Sequence, residues 1–293
     1  ASLQRSVPCA VSEPRLGIFA VIKGVKCAFL MIALTVSVSC THQIAPASPP
    51  PPAPDSLHIY HTRDTMPLIA QTGTAIYERN NNVAFDFAIS NHEDWADASE
   101  TPSPTFLVTH HAINTDSSLW SAPLVRDGLV LIVHPDNPVS NLSIEQARRI
   151  YRGQTQNWAD LGGYDDTITV YSRELGAGLR LEFERLVMGQ QQTTPNAQVL
   201  SSSMQMFAQI ARDRNSIGYV PLSLLDAQSV QPLAVETILP SLTTIADNRY
   251  PLRSTVYVVG LNEPTGVYRD FFLHIQREET QTALSSIYAP LPR

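Results

Sequence analysis

Downstream of Ser56 the apolar positions follow two periods in turn. Leu57-His58-Ile59-Tyr60 alternates like a strand, and in the next segment Met66, Ile69, Ala70 and Ile76 fit one helical face, with Pro67 admissible only in a first turn. Val83–Ile89 and Thr105–Thr109 are further strand candidates. The acidic, turn-rich stretch 91–104 between them reads as a loop with room for a short helix. After Asp127-Gly128 comes LVLIVHP, an unbroken apolar run of the kind buried on both faces of a sheet. Over 141–153 the pattern predicts a helix, with Ser143 as N-cap, Gln146 three residues on, and Gly153 as the stop. A strand at Thr167–Ser172 leads through Gly176-Ala177-Gly178 into a helix closed by Gly189. Helix Met204–Arg212, strand Ser216–Val220, strand Arg253–Gly260 and helix Val267–Gln276 complete the series. Strands alternating with helices predict an α/β fold with mainly parallel sheets.

The first 55 residues follow neither period. Lys23 and Lys26 precede an apolar run, Ala28–Val38, that is short for a bilayer span and has the basic flank of an export signal. The Cys40 that follows VSVS resembles the acylated cysteine of bacterial lipoproteins, which implies a lipid anchor there, although Ser37 stands where such signals usually carry Leu. Residues 1–40 are therefore expected to be upstream extension plus signal, and 41–55, with its proline run, an extended spacer. An exported, membrane-anchored body starting near Ser56 is the expected organisation.

Charge and cysteine usage narrow the function. Lys23 and Lys26 are the only lysines, and beyond Cys40 there remain 16 basic against 26 acidic side chains. Such a balance opposes nucleic-acid binding, which rests on clustered cations, but leaves room for a local anion pocket. All three cysteines lie in the first 40 residues, so neither a disulfide framework nor a cysteine-ligated metal is expected in the body.

Ligands of α/β sheets bind beyond the carboxyl ends of strands, where helix starts present free N–H groups. Three segments hold that position: 61–65 after the first strand, 109–111 after the third, and SRELGAGLR after the Thr167 strand. In the last, Arg173 supplies a guanidinium and the glycines allow close backbone approach. If the loops share a sheet edge, His61, His110 and His111 face one cleft, and with Arg63 they form an oxyanion pocket or with Asp64 a metal site.

The strings GLVLIVHPDNPVSNLSIEQARRIYRGQTQNW, GGYDDTITVYSRELGAGLRLEFERLVMG, SIGYVPLSLL and YPLRSTVYVV resemble, in order and spacing, the phosphate-binding components of bacterial phosphate ABC transporters. The resemblance implies a two-lobed type II periplasmic-binding-protein fold, each lobe a mainly parallel sheet flanked by helices. The expected lobes are 56–133 with 223–293, and 134–222. It also implies a monomeric solute-binding protein that captures a small oxyanion, inorganic phosphate first, for an ABC permease. The family's arginine falls on Arg173 and its glycine on Gly178, while two hydroxyl-bearing positions fall on Ala177 and Leu179 and are lost. Its first ligand loop falls on His61–Thr65, and its Asp and Ser-Arg pair on Thr105 and His110-His111. The expected ligand set is thus Arg173, Gly176, Ala177 and Gly178 with Thr62, Arg63, Thr65, His110 and His111. No cofactor is expected.

For an enzyme, the chain lacks G-x-S-x-G, H-E-x-x-H and Walker signatures. Two rivals to transport remain. One is a sensory or interaction module that kept the lobes and lost phosphate, as Ala177 and Leu179 suggest. The other is a metal-dependent hydrolase using the cleft histidines. His42 and His274 are expected to face solvent.

Overall fold

The structure, a computed structural model, describes residues 55–80, 83–98, 105–112 and 119–292. The segment read as an export signal, Cys40 and residues 41–54 of the expected spacer lie outside the described residues, while Asp55 already belongs to the first strand. The strands are β1 Asp55–His61, β2 Val83–Ile89, β3 Phe106–Thr109, β4 Trp120–Val133, β5 Asn141–Leu142, β6 Thr169–Arg173, β7 Gln198–Leu200, β8 Ser216–Pro221, β9 Gln231–Pro232, β10 Ala234–Val235 and β11 Arg253–Gly260. The helices are α1 Met66–Arg79, α2 His92–Ala98, α3 Ile144–Tyr151, α4 Gly178–Phe183, α5 Ser203–Ile210, α6 Leu242–Ala246, α7 Gly266–Gln276 and α8 Glu278–Ala283.

The main sheet runs β2-β1-β3-β11-β4-β8-β6-β7. Its two ends are parallel, β1 pairing with β2 and β3, and β6 with β7 and β8. The middle is antiparallel. β4 is one long strand that changes partner half-way: Trp120–Gly128 lie against β11, and Leu129–Val133 against β8. Its residues from Leu124 to Val133 are all buried, which is why the LVLIV run carries no polar alternation.

The hydrophobic core divides at that change of partner. Leu57, Ile59, Val108, Leu124, Val125, Val256, Val258, Phe271 and Tyr288 belong to one cluster. Leu129, Leu131, Val133, Ile150, Trp158, Leu179, Phe183, Tyr219, Leu233, Ile245 and Leu252 belong to another. The stretch 233–252, assigned by sequence to the first lobe, thus gives its apolar side chains to the second core. The Leu129 amide donates to the Leu252 carbonyl at 2.8 Å, so these two segments of the chain enter that core together.

Local signals act as expected where they are self-contained. Ser143 and Gln146 form a reciprocal capping box at the start of α3, and Pro67 occupies the first turn of α1. The short helix allowed for in the acidic stretch is α2, capped locally by the Asn91 side chain accepting from the Asp94 amide at 2.8 Å. Elsewhere tertiary contacts decide. Met66 and Ala70 are exposed, while Leu68, Ile69 and Thr72 of α1 are buried; the side chain of Ile76 lies outside the described residues. His274 is buried rather than solvent-facing, because α7 packs on the first core through Phe271, Phe272 and Ile275 and its Nε2 meets the Thr280 hydroxyl at 3.3 Å.

Candidate functional site

Arg173 ends β6 and is 1% exposed. Its Nη1 donates to Asp64 Oδ2 at 2.7 Å, its Nε to Glu174 Oε2 at 3.0 Å, and its Nη2 to Glu174 Oε1 at 3.2 Å. The Leu200 and Ser201 carbonyls accept from the same guanidinium. Asp64, in the turn after β1, also accepts the Ser203 hydroxyl at 2.7 Å through its other oxygen. An Asp from the first core and an Arg from the second therefore meet across the sheet. Burial opposes the charged form of Arg173, but the adjacent Asp64 and Glu174 carboxylates override it and raise its pKa.

Above this pair lies a cavity of about 270 Å³. Its walls include Thr62, Arg63 and Asp64 after β1, Ser90, Asn91 and Asp94 after β2, Arg173, Glu174 and Ala177 after β6, and Ser201 after β7. All of these sit at carboxyl ends of parallel strands, where the topology aims helix starts and loops at one point. Thr62 is 3% exposed, and its hydroxyl has no hydrogen-bond partner among the described residues. Arg63 is exposed and forms no ion pair among them. The wall is thus amphoteric: two guanidinium groups stand with the carboxylates of Asp64, Asp94 and Glu174.

Of the residues singled out by sequence, Thr62, Arg63, Arg173 and Ala177 line this cavity, and Thr65, Gly176, Gly178, His110 and His111 do not. Thr65 spends its hydroxyl on the Thr62 and Val108 carbonyls. Gly176, at φ +75°, turns its carbonyl to His92, which donates its backbone N–H at 3.1 Å and places Nδ1 at 3.2 Å. Gly178 serves close packing, since a Cβ there would stand 2.1 Å from Thr109 Oγ1. Ala177 is the N-cap residue of α4 and makes no side-chain cap bond, and the first helical amide to bond back is that of Leu181, to the Ala177 carbonyl. Leu179 turns into the second core and does not line the cavity.

The histidines do not converge. His110 is fully buried and meets Asp127 through Nε2 at 3.1 Å, while its Nδ1 has no partner among the described residues. Asp127, at the point where β4 changes partner, also accepts the Ser223 hydroxyl at 2.6 Å and the Ser223 and Gly128 amides. Burial pulls the His110 pKa down, but the Asp127 hydrogen bond and charge, with Asp64 and Glu182 behind them, leave it raised. His111 pairs with Glu182 at 3.2 Å, away from Arg63. His61 is buried and its pKa lowered by that burial, partly offset by the Thr62 carbonyl. Among the described residues no group of three His, Cys, Asp or Glu side chains is arranged to hold a metal ion.

Sequence reading missed the polar wall residues Ser90, Asn91, Asp94, Glu174 and Ser201, and gave Asp64 weight only as a metal ligand. Ser90 was findable, because it stands directly beyond β2 in the position used to choose the other loops. Asp64 was hidden by distance: its partner Arg173 lies 109 residues away. Thr105, where the family resemblance locates a carboxylate, is buried with its hydroxyl unpartnered among the described residues. The carboxylates that reach the cavity arrive instead from the first loop (Asp64), from α2 after β2 (Asp94) and from the loop after β6 (Glu174).

Two α/β cores bridged by a shared antiparallel pair, with a polar cavity at the carboxyl ends of parallel strands, define a two-lobed type II periplasmic-binding-protein fold. The profile of the PBP superfamily domain matches residues 71–275, and the chain belongs to that superfamily. It is 25% identical over 166 residues to the phosphate-binding protein PstS of Bacillus subtilis, covering 56% of this chain and 55% of that protein. Against PstS of Pseudomonas aeruginosa it is 24% identical over 196 residues, 59% of this chain and 60% of the relative. The chain thus spans little more than half the length of the curated relatives it matches. Its fold is also similar to a putative phosphate ABC transporter substrate-binding protein with bound phosphate from Clostridium perfringens, with a TM-score of 0.74, 24% identity, and coverage of 81% of this chain and all of that one. For an ABC-type phosphate transport receptor from Vibrio cholerae the TM-score is 0.69, with 20% identity over the same shares. Among the described residues no helix is long and apolar enough to cross a membrane.

Proposed function

We propose that this chain is an exported solute-binding protein that captures a small oxyanion, inorganic phosphate first, in the cavity above Arg173 and delivers it to an ABC permease. The observation that carries the reading is the convergence there of a buried guanidinium with a Thr62 hydroxyl and an Arg63 side chain that have no partner and no ion pair among the described residues. The names of the relatives favour the same ligand.

Arg173 is already neutralised, so a doubly charged guest would meet the Asp64 and Glu174 carboxylates at close range. A protonated phosphate relieves that repulsion by donating to a carboxylate, which sulfate, with no proton to give, does not. Capture is by non-covalent binding, and the two cores act as lobes that move about the β4 and β11 crossings. On this reading the first lobe joins 55–127 to 254–288, the second spans 129–252, and Cys40 carries the lipid anchor of a monomeric protein.

Calorimetric titration of the soluble body with phosphate, sulfate and molybdate tests this. Saturable phosphate binding that Arg173→Ala removes is expected. Heat from none of the three would replace transport with the sensory reading.

A further inference from the structure

A second cavity, of about 360 Å³, lies where β4 and β11 leave the first core and α4 approaches from the second. Three arginines and one carboxylate border it: Arg126 of β4, Arg253 of β11, Glu182 of α4, and Arg185 in the π-helical turn Glu184–Met188 that continues α4. Arg185 is matched, binding both oxygens of Glu182 at 2.6 and 2.9 Å. The other two are not. Arg126 is 7% exposed, yet its guanidinium reaches only neutral acceptors, the Ile245 and Ala246 carbonyls and the Asn248 side chain. Arg253 donates to the Asn248 and Tyr250 carbonyls at 3.4 and 3.3 Å. Among the described residues neither has a carboxylate partner, and burial together with the neighbouring Arg253 charge lowers the Arg126 pKa. Arg253 is exposed, but the Arg126 guanidinium is withdrawn from water with no counter-charge among the described residues, an unfavourable arrangement that an anion would relieve.

We propose that this cavity is a second ligand site, taking a small organic anion with two or more carboxylate or phosphate oxygens. Arg126 and Arg253 supply the missing cationic half of the contact, and Arg185 is shared between the guest and Glu182. Pro123, Tyr257 and Leu291 in the same wall suit a carbon skeleton better than a bare inorganic ion. Because Glu182 pairs with His111 and sits in the helix whose N-cap residue, Ala177, lines the Arg173 cavity, an occupant here touches that same helix.

The test is calorimetric titration of the soluble body with citrate as the carboxylate arm and glycerol 3-phosphate as the phosphate-ester arm. Saturable binding of at least one is expected, weakened tenfold or more by Arg253→Gln and by Arg185→Gln, with phosphate binding at the Arg173 cavity unchanged in both variants. The arm that binds names the ligand's charged group. Absence of binding by both probes at millimolar concentration overturns the proposal, as does binding that neither variant weakens. Circular dichroism melting confirms that each variant is folded, and should one fail to fold the other decides. Citrate binding that needs Arg253 in a protein that ignores phosphate would retain this site while removing the transport reading.

Discussion

Arg173 and Arg126 are both buried at junctions between the two cores, and they are compensated in opposite ways. Arg173 faces the Asp64 and Glu174 carboxylates, which hold it charged and in place. Arg126 faces carbonyl and amide oxygens, which satisfy hydrogen bonds without cancelling charge. The first arrangement is self-sufficient, so a guest must compete for the guanidinium or bring a proton. The second leaves an electrostatic gap that a guest can fill.

The largest effect should follow from Arg173→Ala, which strands Asp64, 2% exposed, with the Ser203 hydroxyl as its remaining side-chain partner. A loss of about 3–5 kcal/mol in urea unfolding is expected, together with loss of phosphate binding. Pairing Arg173→Met with Asp64→Leu should restore most of that stability but not the binding, and failure to restore it would mean that the pair is not the source of the loss.

Arg126→Met leaves only neutral acceptors behind and should cost less, about 1–3 kcal/mol, with phosphate binding intact. A loss as large as that from Arg173→Ala would break the comparison.

Asp64→Asn sharpens it from the other side. With the carboxylate gone, the ratio of sulfate to phosphate affinity measured by calorimetry should rise at least tenfold, about 1.4 kcal/mol. An unchanged ratio would remove Asp64 from ligand selection.

The smallest expected effect concerns pH. His110 has a folded pKa above its ordinary 6.5, so the stability of its charged pair with Asp127 is fully present below that value and is lost as pH rises through the folded pKa. His61 and His92, lowered chiefly by burial, act in the opposite sense, losing stability as pH falls below 6.5. The difference in melting temperature between the native chain and His110→Gln should therefore shrink across that upper window, by the equivalent of about 1 kcal/mol. A difference constant with pH would show that His110 is not charged in the fold.

The elements were legible where the signal is local. The Ser143 capping box, Pro67 in a first turn and the unbroken LVLIV run each encode their structure within a few residues, and each behaves as read. α2, allowed for as a short helix within the acidic loop, is likewise started by a local contact, the Asn91 side chain accepting from the Asp94 amide. In the cavity, Arg173 and the first loop were visible from their place after strands. The histidines misled, since lying after a strand does not say which way a side chain turns: His110 turns inward to Asp127 and His111 toward Glu182.

The order of strands and helices, the acidic body empty of cysteine, and the family resemblance over the second half were determined by the chain alone, because periodicity and composition are properties of neighbouring residues. Pairing was not. That Asp64 would neutralise Arg173, that β4 would change partner after Gly128, and that Arg126 would be buried against neutral oxygens were decided by packing between segments far apart in the chain, 109 residues in the case of Asp64 and Arg173. Electrostatic balance at a site depends on distance in space, and only the tertiary structure sets that distance.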